Sequence, residues 1–232
     1  ASQLPPDTEL AIVTDAAELA RATHIVLPGV GAFADCMAGL TALHGMREAL
    51  EEAVLKNKTP FLGICVGMQL LSEIGEERGE TKGLGWIPGR VVALDPAERH
   101  LKVPHMGWND LVIDPQASGP HPVLDGIKTG DHAYFVHSYH FRVDHPAERL
   151  AHVDYAGDIT AIIGRDTMVG TQFHPEKSHT AGLALLRSFV ACIWANSGFT
   201  LGSFEVSSKS SRSSSLNKTC WFSGTGLISE TI

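Results

Sequence analysis

The sequence predicts an α/β protein: a mostly parallel sheet with helices on both faces, extended by an antiparallel layer. In the first third of the chain, short apolar runs alternate with helix-like stretches, which is typical of parallel strands connected by helices. In the middle, strand-like runs follow one another directly, with Pro, Gly and Asp turns between them. The first pattern predicts the parallel sheet, and the second predicts the added layer.

The parallel part of the sheet is predicted from short apolar runs near the start of the chain. One run ends at Pro28-Gly29, and another follows Pro60 and ends at Cys65. Their alternation with helical stretches indicates a sheet covered on both faces. The predicted strands cover residues 10–14, 23–27 and 61–65, and the predicted helices cover 16–21, 34–40, 45–56 and 66–74.

The antiparallel layer is predicted from β-rich runs that are separated by turn residues. A short pair of strands turns around Arg165-Asp166, and a final helix over 180–196 has an apolar stripe at helical spacing. The predicted strands of this part cover residues 86–94, 109–113, 133–143, 150–155, 159–164 and 168–173. The stripe consists of Leu183, Leu186, Phe189, Val190 and Ile193.

The composition changes after Ser197. Residues 203–215 are mostly Ser with Lys and Arg, so burial of apolar surface cannot offset the entropy of ordering them. The apolar run Cys220-Trp221-Phe222 follows without a periodic partner. We therefore predict one domain over residues 1–197 and a Ser-rich tail over 198–232 without fixed structure.

Charge and composition exclude several classes of function. The net charge of −8 argues against nucleic acid as the main partner. The sequence contains no run of about 18 apolar residues, so no membrane span is predicted. Ala1–Leu10 lacks the features of a secretory signal. The four cysteines are scattered, which suits a reducing compartment, so we expect a cytoplasmic protein. The twelve histidines lack metal-binding spacing, so no metal is predicted.

The segment from Pro60 to Leu71 is the most informative part of the chain. It predicts a buried strand, a tight turn between Gly63 and Gly67 that carries Cys65, and then a helix. Such an elbow aims Cys65 at a cleft, where the N–H of Val66 and the start of the helix face a developing anion. A thiolate there is stabilised and presented for attack. The segment alone is equally consistent with a buried, inert cysteine.

A cysteine nucleophile needs a base and a group that orients the base. His174 and Glu176 lie two apart in an extended segment, so their side chains leave the same face, and Pro175 restricts the backbone between them. A carboxylate beside an imidazole selects its tautomer and stabilises the imidazolium. By itself the triplet is more typical of a solvated loop, but together with Cys65 it predicts a catalytic triad.

A glycine-rich loop, Pro28–Phe33, follows a predicted strand and precedes a helix. Its glycines let backbone N–H groups approach an oxyanion. A dinucleotide-binding turn is the alternative, but it needs an acidic residue at the end of the next strand, which ends at Cys65 instead. Gln69 lies one helical turn after Cys65, where its amide could reach a substrate, although an ordinary amphipathic helix explains it equally well.

These motifs resemble those of class I, triad-type glutamine amidotransferases. The spacing Gly63-x-Cys65-x-Gly67-x-Gln69 and the triplet His174-Pro175-Glu176 are shared across that superfamily. Val103–Asn109, Tyr134–Tyr139 and the loop Leu27–Phe33 more narrowly resemble the glutaminase subunits of imidazole glycerol phosphate synthase. The resemblance extends over about residues 8–196 and implies a flavodoxin-like α/β fold.

The resemblance implies a role for each matching residue. Cys65 would attack the carboxamide of glutamine, His174 would protonate the leaving ammonia, and Glu176 would orient His174. The N–H groups of Val30 and Val66 would hold the oxyanion. The glutamine pocket would be lined by Gly31, Gln69, Ser138 and Tyr139. The surface for the partner subunit would comprise Met106, Trp108, Asn109, Tyr134 and Lys177.

No segment looks like a site for ATP or for a phosphorylated acceptor, so ammonia made here would be used elsewhere. The resemblance implies a heterodimer with a (β/α)8-barrel cyclase subunit, which receives ammonia through a channel. The products would be imidazole glycerol phosphate and an aminoimidazole carboxamide ribotide (AICAR), in histidine biosynthesis. No cofactor is implied. We expect weak glutaminase activity without the partner, because a glycine loop can flip a peptide between donor and non-donor states.

The chain departs from the family pattern at both ends. We find no counterpart of the family's first strand and helix, with their Asp-Tyr-Gly-x-Gly-Asn turn, and expect a gap beside the Pro28 loop. Three alternatives are left open: the glutaminase of anthranilate, guanylate or pyridoxal phosphate synthesis, a non-catalytic module, and a cysteine peptidase or other hydrolase of related fold. The run Pro104–Trp108 argues against the first.

Overall fold

The computed structural model describes residues 8–95, 101–115, 121–191 and 217–221. These residues form fourteen strands and five α-helices. The strands are β1 (Thr8–Ile12), β2 (His24–Gly29), β3 (Phe61–Cys65), β4 (Ile74–Gly75), β5 (Thr81–Lys82), β6 (Gly89–Ala93), β7 (His105–Asp110), β8 (Val112–Ile113), β9 (His132–His137), β10 (Tyr139–Val143), β11 (Arg149–Asp154), β12 (Asp158–Arg165), β13 (Met168–Thr171) and β14 (Asn217–Trp221). The helices are α1 (Ala16–Leu19), α2 (Phe33–Ala42), α3 (Met46–Glu51), which continues as a π-helical segment (Glu52–Lys56), α4 (Val66–Gln69) and α5 (His179–Ala191).

The main sheet has eight strands in the order β1-β14-β2-β3-β13-β12-β11-β8. The first five strands of this order are parallel, and the last three are joined by antiparallel pairing. All five residues of β3 are buried, as expected for a strand with parallel neighbours on both sides. The predicted α/β architecture with an antiparallel part is therefore confirmed.

Two smaller sheets complete the described structure. A four-stranded sheet has the order β10-β6-β4-β5, and β7 pairs with β9 in a separate two-stranded antiparallel sheet. The run predicted as one strand over 133–143 is split between these sheets at Ser138, whose carbonyl accepts from the N–H of Leu94 at 2.9 Å. The side chains of β9 alternate between buried and partly exposed, so one face of the β7–β9 sheet packs on the core.

The helix after Cys65 is shorter than predicted. We expected a helix over residues 66–74, but α4 ends at Gln69. The carbonyls that would continue the helix accept hydrogen bonds from a later segment instead: Leu70 from Leu84 at 2.8 Å, and Leu71 from Trp86 at 3.0 Å. Tertiary hydrogen bonding therefore replaces helix propagation here.

The C-terminal tail contributes a strand to the main sheet. We predicted a tail without fixed structure over 198–232 and a gap beside the Pro28 loop, whereas the structure describes Asn217–Trp221 as β14, between β1 and β2. The other residues of the tail and residues 192–196 of the predicted final helix lie outside the described residues. The domain boundary at residue 197 and the missing first strand and helix stay predictions.

β14 connects β1 to the rest of the sheet. All five residues of β1 are in parallel register with β14, and Thr219–Trp221 pair with His24–Val26 of β2 on the other side. Without β14, the backbone groups on this side of β2 would form an open sheet edge, which is a site for aggregation. The strand from the tail therefore closes the position where a gap was expected.

The pairing of β14 can be tested with Cys220→Pro. Proline removes an N–H and fixes φ, so in a central strand we expect a loss of about 3 kcal/mol in the free energy of unfolding. Hydrogen exchange should speed up at the amides of β1 and along the paired part of β2. Cys220→Val is the matched control, because it keeps the N–H. Unchanged protection of β1 in the proline variant would contradict this role of β14.

Candidate active site

Cys65 lies at a sharp turn between β3 and α4. It is the last residue of the strand, and α4 begins at the next residue, Val66. The backbone angles of Cys65 are φ 55° and ψ −112°, which a residue with a Cβ adopts only at a cost. Strain of this kind occurs where a side chain must leave the sheet and face a cleft. The predicted elbow is present.

Glycines make the elbow possible by allowing close backbone approach. A Cβ added to Gly63 would lie 2.6 Å from the carbonyl oxygen of Gly67, and one added to Gly29 would lie 2.6 Å from the Gly67 nitrogen. Because these neighbours are backbone atoms, no side-chain movement could relieve the overlap. The start of α4 therefore packs directly against the ends of β2 and β3.

His174 and Glu176 form a hydrogen-bonded pair beside the elbow. Nδ1 of His174 lies 2.9 Å from Oε1 of Glu176. The backbone of His174 is fixed on both sides: its N–H donates to Tyr134 at 3.1 Å, and its carbonyl accepts from the hydroxyl of Ser178 at 2.7 Å. We predicted an extended segment here, but Pro175–Lys177 form a 3-10 turn, and the two side chains meet across it.

The pKa values of this pair favour an imidazolium beside a carboxylate. Burial lowers the pKa of His174, but hydrogen bonds to Cys65 and Glu176 and the charges of both groups outweigh burial and raise it from 6.5 to about 9. Burial raises the pKa of Glu176, but the hydrogen bond and charge of His174 bring it below its ordinary 4.5. Cys65 and His174 are thus in hydrogen-bond contact.

Cys65 and His174 both line a cavity of about 460 Å³. The cavity brings together most of the residues predicted for catalysis and glutamine binding. Those predicted residues are Cys65, His174, Val30, Val66, Gly31, Gln69, Ser138 and Tyr139, together with Lys177 from the predicted partner surface. A larger cavity, about 510 Å³, lies beside Trp108 and His179 and contains no member of the triad.

Three polar or charged residues at or near the cavity were not predicted: Glu77, His137 and Gln172. Glu77 and His137 line it, and Nε2 of Gln172 lies 3.7 Å from the Cys65 sulfur. Oε2 of Glu77 accepts from the N–H of Phe33, at the start of α2. The i, i+2 relation of Gln172 to His174 is a sequence signal that could have identified Gln172. Glu77 and His137 reach the cavity only through tertiary packing.

The predicted partner surface is largely exposed and aromatic. Met106 and Trp108 on β7 are 63% and 49% exposed, and Trp108 makes an edge contact with Tyr134 on β9. The ammonium of Lys177 lies 5.9 Å from the centre of the Tyr134 ring. Asn109 differs from these residues, because its amide is turned towards the buried His105, 3.4 Å away.

A second thiol, that of Cys36, lies near the cavity. Burial raises the pKa of Cys36 to about 11. Sγ of Cys36 lies 3.3 Å from the Val30 carbonyl and donates to it. Among the described residues, no group of three or more His, Cys, Asp or Glu side chains could hold a metal ion. Within the same residues, no helix is long and apolar enough to cross a bilayer.

Comparisons with known proteins identify the family. The profile of the family "Glutamine amidotransferase class-I" matches residues 2–192. This chain belongs to that family. The amidotransferase fold is also found in a solved structure described as "Crystal structure of glutamine amidotransferase", with a TM-score of 0.56 and 20% identity over 77% of this chain and 82% of that one.

More similar relatives of this amidotransferase carry a narrower description. The "Imidazole glycerol phosphate synthase subunit HisH" of Cereibacter sphaeroides is 62% identical over 180 residues, which cover 77% of this chain and 83% of that protein. The protein of the same description from Ruegeria pomeroyi is 57% identical over 182 residues, 78% of this chain and 84% of that protein.

The strain at Cys65 can be measured by comparing Cys65→Gly with Cys65→Ala. In ordinary helix or strand positions, Gly is less stable than Ala by roughly 0.5–1 kcal/mol. Here we expect Cys65→Gly to be more stable than Cys65→Ala by about 1 kcal/mol in urea unfolding, because only Gly relieves the positive φ. Ala38→Gly, at an exposed site in α2, is the control and should show the ordinary loss. If Cys65→Gly were instead less stable than Cys65→Ala by the ordinary amount, the backbone of Cys65 would not be strained.

The raised pKa of His174 can be measured by NMR of histidine-labelled protein. The resonance that is absent from His174→Gln should titrate at about pH 9, and its midpoint should fall in Glu176→Gln and in Cys65→Ser. Because the folded-state pKa of His174 is raised and that of Glu176 is lowered, the pair stabilises the fold fully between about pH 4.5 and 6.5, and the effect is lost as the pH rises through about 9. The stability deficit of Glu176→Gln should therefore vanish at high pH. A midpoint near 6.5 would contradict this geometry.

Proposed function

We propose that the protein hydrolyses L-glutamine to glutamate and ammonia and supplies the ammonia to a cyclase subunit of imidazole glycerol phosphate synthase. The observation that carries the proposal is the shared cavity of Cys65 and His174, in a chain 62% identical to a subunit of that synthase. The cyclase partner is a (β/α)8 barrel, and the products are imidazole glycerol phosphate and AICAR, in histidine biosynthesis. The free, buried thiols Cys36 and Cys65 support a reducing, cytoplasmic setting.

The reaction begins with attack of the Cys65 sulfur on the side-chain carbonyl carbon of glutamine. The C=O electron pair moves onto oxygen, and the N–H groups of Val66 and Val30 are the proposed donors to this oxyanion. Removing one such donor typically costs about 10²–10³ in rate. The imidazolium of His174 then gives its proton to the leaving nitrogen, and ammonia departs from the thioester. A water molecule attacks next, His174 takes its proton, and glutamate is released.

The cavity has groups suited to the other end of glutamine. The carboxylate of Glu77 matches the α-ammonium of the substrate, while Gly31, Ser138 and Tyr139 line the cavity with polar backbone and hydroxyl groups. Gln69 is buried, and its amide donates to the carbonyl of Tyr139 and to Gln172 at 3.0 Å each. These contacts give Gln69 a role in shaping the cavity wall.

The exposed face of the β7–β9 sheet is the proposed surface for the barrel subunit. Met106, Trp108 and Tyr134 are residue types that dominate the energetics of protein interfaces. Lys177, which lies beside Tyr134 and lines the cavity, places a charge at the boundary between this surface and the glutamine site. Ammonia leaving the cavity on this side would enter the partner without meeting bulk water.

The proposal can be tested by measuring glutamate release with and without the barrel subunit of the synthase. We expect slow turnover alone, a rise on addition of the barrel subunit with its nucleotide ligand, and a loss of at least about 10⁴-fold in Cys65→Ser. Trp108→Ala should weaken the response to the partner by about 30-fold, as for a typical interface anchor. Ile12→Ala, at an exposed apolar residue of β1, is the control.

Two results would contradict the proposal. Equal turnover with and without the barrel subunit would reject the partnership. Complementation of an auxotroph for anthranilate, guanylate or pyridoxal phosphate, but not of a histidine auxotroph, would assign the glutaminase to another pathway.

A further inference from the structure

Two buried histidines on the core side of the β7–β9 sheet have no role in the mechanism above. His105 and His137 are register partners on the two strands and are 3% and 6% exposed. Nδ1 of His105 lies 3.0 Å from Nε2 of His137, so the two rings share a hydrogen bond. Buried imidazoles that pair with each other, rather than with carboxylates, require an explanation.

The partners of the two rings determine their tautomers. Nδ1 of His137 lies 2.9 Å from the carbonyl oxygen of Tyr139, and a carbonyl can only accept, so this nitrogen carries the proton. Nε2 of His137 is then an acceptor, and Nδ1 of His105 must donate to it. Nε2 of His105 in turn accepts from the amide of Asn109, at 3.4 Å. Both rings are therefore Nδ1–H tautomers.

Both rings are also neutral at physiological pH. Burial lowers the pKa of His105 to about 4. Burial also lowers the pKa of His137 to about 3, because it outweighs the opposing effect of the hydrogen bond to Tyr139. The His105 ring is stacked between Phe135 and Tyr155, with ring centres 4.8 Å and 3.8 Å away. The rings are thus held in one orientation and one protonation state.

The hydrogen bonds continue from the Tyr139 carbonyl to the nucleophile. The same oxygen accepts from Nε2 of Gln69 at 3.0 Å, and this amide also donates to Oε1 of Gln172 at 3.0 Å. Because both partners of the Gln69 amide are acceptors, its orientation is fixed. The Oε1 atom of Gln172 is occupied, so its Nε2 faces the sulfur of Cys65, 3.7 Å away.

We propose that this hydrogen-bonded chain, from Asn109 through His105, His137, Tyr139, Gln69 and Gln172 to Cys65, is a positioning relay. His105 and His137 fix the position of the Tyr139 carbonyl. This carbonyl fixes the orientation of the amides of Gln69 and Gln172, and the Gln172 amide in turn holds and stabilises the sulfur of Cys65. His105 and His137 are positioning residues, because they act on Cys65 through other groups.

The relay begins on the strand that carries the proposed partner surface. Along β7, the exposed Met106 and Trp108 alternate with His105 and Asn109, which face the core side. A partner seated on β7 would therefore act on the outer end of the relay through one rigid strand. This second part rests on the proposed function, whereas the positioning of Cys65 does not.

The first test is a measurement on the unaltered full chain. Nitrogen-15 NMR of histidine-labelled protein distinguishes Nδ1–H from Nε2–H rings, and His105→Phe and His137→Asn assign the two resonances. We expect both rings as neutral Nδ1–H tautomers at pH 7. An Nε2–H tautomer or an imidazolium at either position would break the chain of donors and overturn the relay.

The second test follows alkylation of Cys65 by iodoacetamide at pH 7, by peptide mass spectrometry. His105→Phe keeps an aromatic ring in the stack but removes both hydrogen bonds, so we expect alkylation of Cys65 to slow by about five- to tenfold, as for loss of one buried hydrogen bond. His105→Asn can still donate from the position of Nδ1 and should restore most of the rate. His44→Phe, at an exposed site, is the control.

A wild-type alkylation rate in folded His105→Phe would overturn the relay, as would an equal loss in His44→Phe. If His105→Phe fails to fold, the relay can still be tested by the NMR tautomers and by the alkylation rate of His137→Asn. This variant keeps a donor for the Tyr139 carbonyl but loses the acceptor for His105. None of these measurements needs glutamine or a partner, so failure of the proposed function would leave them valid.

The coupling between the partner surface and the relay has its own test. If the barrel subunit changed the rate of Cys65 alkylation equally in wild type and in His105→Phe, this coupling would be refuted, while the positioning of Cys65 by the relay would stand.

Discussion

The positive φ of Cys65 is the constraint on which the site depends. A non-glycine residue held there costs roughly 1–3 kcal/mol, and the surrounding structure must offset this. β3 does so by pairing with β2 on one side and β13 on the other, with every residue buried. The same pairing explains how His174 arrives. It follows β13, the neighbour of β3, and the carboxyl ends of parallel strands lie at one edge of a sheet, where ligands bind in open α/β folds.

Environment divides the histidines of the site into two kinds. His174 faces a carboxylate and a thiol, so its pKa rises to about 9 despite burial. Burial lowers the pKa values of His105 and His137 to about 4 and about 3. His174 is held as a cation, which is the form that the proposed mechanism needs, and the other two are held as neutral, directional hydrogen-bonding groups. The pattern of partners, rather than the residue type, decides the protonation state of each histidine.

Local sequence signals predicted the features that depend on neighbouring residues. The strand at 61–65 was predicted to the residue, and the elbow and the His174 triplet were recognised because their glycines and spacing are local. The length of α4 was not predictable, because the carbonyls of Leu70 and Leu71 bond to residues 84–86. The pairing of His105 with His137 depends on the register of two non-consecutive strands, β7 and β9, and the two residues lie 32 apart in the sequence. β14 was missed because five residues that follow a Ser-rich stretch give no sign of which sheet edge they join.

The position of β14 separates the stability of the fold from the geometry of the site. Its pairing with β2 ends at Val26, before the glycine loop, whereas Pro28 and Gly29 pair with Ile64 and Cys65 on the other side. The glycine loop is therefore held by β3. The sulfur of Cys65 is held by β3, and the imidazole of His174 is held by the segment after β13. Loss of β14 would expose the edge of β2 and release β1 while leaving these attachments in place. The tail strand thus contributes to the stability of the fold more than to the geometry around Cys65.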